Sequence, residues 1–161
     1  MFYEDKEKHA FQLQTEVMQS FHDRETKCIQ KSLYIFERSL KSSLDIFASL
    51  NCKEHELEKL TAIYDKMGRD KIFPNTSCYY ICLTTSPEKC LEHVWKRQKS
   101  TDGYITLEYL KMLDKKHYDV FVCPKNPKIF VVDGNTTEDV LTERVSEIIR
   151  EIISNTPHQM N

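Results

Sequence analysis

Glu37, Arg38 and Ser39 set an acid, a base and a hydroxyl side by side, directly after the apolar run Leu33-Tyr-Ile-Phe36. A short run rich in aromatic and β-branched residues reads as a buried strand. In α/β sheets, ligands bind beyond the carboxyl ends of the strands. The triplet would therefore concentrate charge where a ligand sits; the plain alternative is a charged loop after a strand. A second cluster is Lys96, Arg97 and Lys99, ahead of the polar turn Ser100-Thr-Asp-Gly-Tyr104. Cations at the end of a helix offset its dipole, which is a sufficient structural explanation. The same cations could form a flap over a transferring phosphoryl group, because that chemistry is catalysed mainly by positioning and charge stabilisation. Arginine suits the task, since its planar fork grips phosphate oxygens in pairs.

The elements that must position these groups are legible in the hydrophobic pattern. Apolar residues at Ala10, Leu13, Val17 and Phe21, with Phe11 and Met18 beside them, predict a helix over 8–22. Gln14 falls next to that stripe. It is either solvated at the helix edge or turned into a pocket, and its position alone favours solvation. Residues 23–27 read as a polar connector. Residues 39–50 read as a short helix or a mobile segment, and 54–67 as an amphipathic helix through Leu57, Leu60, Ile63, Tyr64 and Met67. Cys78 to Thr84 is a second strand; its lack of alternation implies burial on both faces, as in a parallel sheet. Ser86-Pro87-Glu88 is a strong helix start. Thr106 caps the next helix, which runs to His117. Lys128 to Asp133 is a third strand, and Thr137 starts a last helix. The alternation predicts an α/β fold with a parallel sheet flanked by helices. It forms a single domain over 1–155, with a polar tail at 156–161.

Composition narrows the possibilities. The 161 residues carry a formal net charge of −2, so nothing drives the chain toward nucleic acid or acidic membranes. No apolar run approaches the roughly 20 residues needed to span a bilayer. The charged N-terminus argues against a secretory signal. Six dispersed cysteines without a C-x-x-C read as reduced thiols in a cytosol-like compartment. The three glycines, Gly68, Gly103 and Gly134, are far apart. A phosphate-cradling loop needs clustered glycines so that backbone N–H groups face the anion, and this polypeptide has no such cluster.

Four blocks together resemble the deoxynucleoside kinase family, the group containing deoxycytidine, deoxyguanosine and mitochondrial thymidine kinases. They are Phe2-Tyr-Glu4 through Ala10-Phe-Gln-Leu-Gln-Thr15, Phe36-Glu-Arg-Ser39, Thr85-Ser-Pro-Glu-Lys-Cys-Leu91 through Arg97, and Ile105-Thr-Leu-Glu-Tyr-Leu110 to His117. The resemblance spans nearly the whole chain and implies a P-loop nucleoside kinase-like three-layer fold. It implies transfer of the γ-phosphoryl of ATP or another nucleoside triphosphate, with Mg²⁺, to the 5′-hydroxyl of a deoxynucleoside. Gln14 would then pair with the base edge, as an amide presenting a donor beside an acceptor can. By the same resemblance Tyr3 and Asp102 would hold the sugar 3′-hydroxyl, Asp102 standing where the family usually has glutamate. Arg38 would lie near the 5′-oxygen, and Glu37 near the metal or the hydroxyl proton. His93, Arg97 and Lys99 would form the phosphate-binding lid, with His93 at a position that is usually arginine. Asp133, Gly134 and Asn135 match the loop whose backbone touches adenine.

Two departures add information. Members that prefer deoxycytidine or purines pair an aspartate with an arginine at the positions held here by Ser43 and Phe21. The resemblance therefore implies pyrimidine deoxynucleosides, thymidine included. The family's N-terminal third, with its Gly-rich phosphate loop, has no counterpart here. The polypeptide alone is thus expected to be a weak or inactive kinase, or else a non-catalytic nucleoside-binding or dimerisation module. The resemblance further implies a homodimer, no nucleic-acid or membrane partner, and a cytoplasmic or mitochondrial location.

Overall fold

The computed structural model describes residues 6–27, 33–67, 76–99 and 102–155. Tyr3, Cys28, Gly68 and the tail at 156–161 lie outside the described residues. The chain divides into two compact units, Met1–Thr76 with Lys99–Ile105, and Ser77–Gln98 with Thr106–Asn161.

In the first unit, helix α1 spans Lys6–Thr26. It runs through the segment expected to be a connector. Side-chain pairs one turn apart support it, Gln12 to Glu16 at 2.9 Å and Gln19 to Asp23 at 2.7 Å. Ala10, Gln14, Met18 and Glu25 are its buried residues, spaced to share one face. Helix α2 (Leu40–Ser42), the π-helical Ser43–Ala48 and helix α3 (Ser49–Asn51) follow in direct succession. Helix α4 then covers Glu54–Met67, as its amphipathic spacing implies. Met18, Leu40, Leu44, Ala48 and Leu60 form the core, with Phe11, Phe21, Leu57 and Ile63 packed against it. Leu60 is fully buried, which contributes about 1.5–3 kcal/mol.

Leu33–Phe36 is not a buried strand. The segment lies outside regular structure, and no described strand pairs with it. Tyr34 and Phe36 stack with centroids 5.9 Å apart, whereas Leu33 is 47% and Ile35 70% exposed. An extended segment becomes a strand only when a neighbour takes up its backbone hydrogen bonds.

The second unit holds the sheet. Strand β1, Tyr80–Thr84, pairs parallel with β2, Ile129–Asp133, in the register Tyr80 to Ile129 through Thr84 to Asp133. Parallel strands need a long crossover. Helix α5 (Pro87–Arg97), helix α6 (Leu107–His117) and a π turn (Tyr118–Val122) fall within it in sequence. The starts of α5 and α6 are the expected ones. Ser86 Oγ accepts from Lys89 N–H at 3.4 Å, and Thr106 Oγ1 from Tyr109 N–H at 3.2 Å. Helix α7, Glu138–Asn155, packs on β2. The architecture is the expected α/β one, a parallel sheet flanked by helices. The sheet is not buried on both faces as expected: Cys82 and Val132 are buried, but Leu83 and Val131 are about half exposed. Two strands, the full count among the described residues, are too few to be covered on both sides.

Candidate active site

The first unit turns Gln14 inward. It is 5% exposed, so the structure takes the pocket-facing alternative over the solvated one. Its partner is Ser43, 2% exposed, whose Oγ donates to Gln14 Oε1 at 2.9 Å. The π-helical segment begins at Ser43. Such widened turns shift side chains out of the ordinary helical register and recur at functional sites. Burying an amide is costly unless it is hydrogen-bonded, and Ser43 meets that demand at the oxygen. Among the described residues, nothing accepts from Gln14 Nε2.

Glu37 and Arg38 sit on an exposed turn between Phe36 and the helix beginning at Leu40. Arg38 takes φ 62°, a left-handed conformation that costs a non-glycine residue about 1–2 kcal/mol. Its guanidinium lies 4.9 Å from the centroid of the Phe47 ring. Two devices fix the turn. Ser39 and Ser42 form a reciprocal capping box, with Ser42 N–H to Ser39 Oγ at 3.1 Å and Ser39 N–H to Ser42 Oγ at 3.0 Å. Arg24 grips the other side: Nη1 donates to the Glu37 carbonyl at 3.0 Å and Nη2 to that of Arg38 at 3.3 Å. The same guanidinium lies 4.6 Å from the centroids of both Phe21 and Phe36 and 3.6 Å from Glu25 Oε1. A strained residue persists where its surroundings over-determine it. Sequence reasoning missed Arg24 because it ended the helix at residue 22. The periodicity of α1 carried one turn further would have placed Arg24 near Phe21.

Asp102 belongs to the same unit as Gln14, Glu37 and Arg38, and is 9% exposed in a 3₁₀ turn, Asp102–Tyr104. The expected lid is divided. His93 and Arg97 are exposed on α5 in the second unit, one turn apart on one side of the helix. Lys99 is exposed in the first unit, after Gln98 ends α5 with φ 49°. The Asp133–Asn135 turn closes the second unit's sheet. Asp133 Oδ1 accepts from Asn135 N at 2.8 Å, Asn135 Oδ1 from Ser86 N–H at 2.9 Å, and the Thr84 carbonyl from Gly134 N–H at 2.8 Å. A Cβ on Gly134 would fall 2.1 Å from Thr85 Oγ1, so any side chain there must displace that threonine.

Among the described residues, no three His, Cys, Asp or Glu side chains cluster as metal ligands. Glu37 is a single carboxylate rather than a cage. Among the described residues, no two cysteines are joined in a disulfide. Burial, and then Glu56, push the Cys52 thiol up to about 11; burial and Asp114 raise Cys82 and Cys90.

The sequence profile of the deoxynucleoside kinase family matches residues 1–156. The chain belongs to that family. It is 27% identical over 120 residues to human mitochondrial thymidine kinase 2, a match covering 73% of this chain and 45% of that enzyme. It thus spans about half the length of that relative. Its fold matches deoxyadenosine kinase of M. mycoides, in a structure holding the products dCMP and a flexible dCDP. The TM-score is 0.75 at 16% identity, over 93% of this chain and 78% of that one. A second structure of that kinase, with dCTP bound, matches with a TM-score of 0.72 at 18% identity. Among the described residues no helix is long and apolar enough to cross a membrane.

Proposed function

We propose that this deoxynucleoside kinase family chain supplies the nucleoside-binding part of a phosphotransferase acting on the 5′-hydroxyl of a pyrimidine deoxynucleoside, thymidine included. The buried Gln14 carries the reading. An amide held out of water, with a donor that no described residue uses, fits the paired edge of a base. In this reading Gln14 reads the base, and Tyr3 and Asp102 hold the 3′-hydroxyl. Arg38 faces the 5′-oxygen, with Glu37 beside it to accept the hydroxyl proton. His93, Arg97 and Lys99 cover the phosphates of ATP or another triphosphate, and the Asp133, Gly134 and Asn135 backbone meets the adenine. Mg²⁺ would arrive on the donor's phosphates, with Glu37 the carboxylate beside them.

Residues 1–155 act in this reading as one kinase domain, homodimeric, in the cytoplasm or the mitochondrion. The three scattered glycines favour a second reading of the polypeptide taken alone, in which it binds nucleoside without transferring phosphate. Calorimetric titration with thymidine and deoxycytidine tests the site. Saturable binding to the wild-type chain, weakened at least tenfold by Gln14→Ala, is expected. Absence of binding by a folded chain refutes the site.

A further inference from the structure

Glu37 and Arg38 lie on an exposed turn, where backbone carbonyls ordinarily bond to water. Both carbonyls instead accept from one side chain, Arg24, at 3.0 and 3.3 Å. Among the described residues no other donor reaches either of them. The fork is held in place in turn. The rings of Phe21 and Phe36 each lie 4.6 Å from its central carbon, and Phe36 is the residue directly before the turn. Arg24 stands on α1, so the turn is fixed to a 21-residue helix rather than left to its own ends.

The arrangement costs stability twice. Arg38 holds a left-handed φ of 62°, and Arg24 Nε is buried with no partner among the described residues. Strain and an unpaired donor kept at one place point to what that place does. The left-handed backbone sends the Arg38 side chain back over the π-helical segment, its guanidinium 4.9 Å from the Phe47 centroid. If the turn relaxed, the same side chain would leave along a different direction.

We propose that Arg24 is a positioning residue: by holding the Glu37 and Arg38 carbonyls it aims the Arg38 guanidinium at the 5′-oxygen of the nucleoside, an inference that rests on the nucleoside site described above. Arg24 acts through Arg38 and does not itself touch the ligand, because its terminal nitrogens face the carbonyls and Glu25. A fork can hold two carbonyls at once; an ammonium cannot reproduce that geometry.

Thymidine and 5′-deoxythymidine differ only in the 5′-oxygen, so the ratio of their affinities isolates the contact. Calorimetry on the full chain, below the melting temperature of every variant, measures it. The wild-type chain is expected to prefer thymidine at least tenfold, in keeping with one hydrogen bond to a charged group. Arg38→Ala should bring the ratio to within threefold of unity. Arg24→Met should do the same, with 5′-deoxythymidine still bound within threefold of wild type, and the double variant should lose nothing further. Arg24→Lys should lose at least threefold of the preference, and it decides the matter should the methionine variant not fold. A purely structural Arg24 would weaken both ligands together and leave the ratio unmoved. The proposal is overturned, with the nucleoside site intact, if Arg38→Ala erases the preference while the folded Arg24 variants keep it within threefold of wild type, or if neither Arg24 variant folds. If the wild-type chain binds neither ligand, or binds both equally, the assignment of Arg38 to the 5′-oxygen falls, and this proposal with it.

Discussion

Replacing Arg24 with methionine removes the fork that holds the Glu37–Arg38 turn while keeping an unbranched side chain between two rings. Two hydrogen bonds to carbonyls disappear, from Nη1 at 3.0 Å and Nη2 at 3.3 Å, at about 1 kcal/mol each. Two guanidinium–ring contacts at 4.6 Å add about 0.5 kcal/mol each. The ion pair with Glu25, at 3.6 Å, sits on a carboxylate whose side chain is 4% exposed; leaving that carboxylate unpaired adds to the loss, so the sum of the other contacts is a lower bound. The total is about 3 kcal/mol, of which the left-handed Arg38 releases part if the turn relaxes. For a chain of this size about 3 kcal/mol lowers the melting temperature by about 6–12 °C. Thermal melts followed by circular dichroism measure it. Arg24→Lys, which keeps the charge but cannot fork, should recover less than half of the loss. A methionine variant melting within 2 °C of wild type would show that the capping box of Ser39 and Ser42 holds the turn without Arg24.

Two further outcomes follow from the second unit and the thiols. Gly134→Ala forces Thr85 Oγ1 to move from a 2.1 Å approach and leaves the Thr84 carbonyl at a tight 3.3 Å; urea unfolding should show a loss of about 1–3 kcal/mol. A threonine that simply swings away would reduce that loss to nothing measurable. Cys52 keeps its proton in the folded chain to about 11, above the ordinary 9.0. The folded state therefore binds the proton more tightly. The stabilisation is complete below pH 9 and is lost as pH rises toward about 11. Cys52→Ala should flatten that decline, and iodoacetamide at neutral pH should reach the exposed Cys123 well before Cys52.

The helices were legible because their signals are local. Ser86-Pro87-Glu88 and Thr106 start helices where capping chemistry requires, and Leu57 through Met67 repeats at helical spacing. A parallel sheet was legible in apolar runs separated by helices, though among the described residues only Tyr80–Thr84 and Ile129–Asp133 pair, and the expected strand Leu33–Phe36 does not join them. What was not legible depends on partners distant in sequence. Gln14 beside an apolar stripe left solvation and a pocket both open, and its burial against Ser43 decides between them. Leu33–Phe36 has the composition of a strand, but a strand is a relation between two segments, and composition describes one. The end of α1 was misjudged because Arg24 and Glu25 are polar by type, while their contacts with Phe21, Phe36 and each other keep the helix going.

The exposed side of Leu33–Phe36 has a practical consequence for anyone handling the protein. Leu33 and Ile35 face solvent on an irregular stretch that carries no charge and no proline, and its backbone is paired to no described strand. Such segments template edge-to-edge association. Concentrated preparations should therefore cloud or form soluble aggregates before the helices melt. A lysine in place of Ile35, the more exposed of the two, is the change that should keep the chain in solution without touching the core formed by Met18, Leu44 and Leu60.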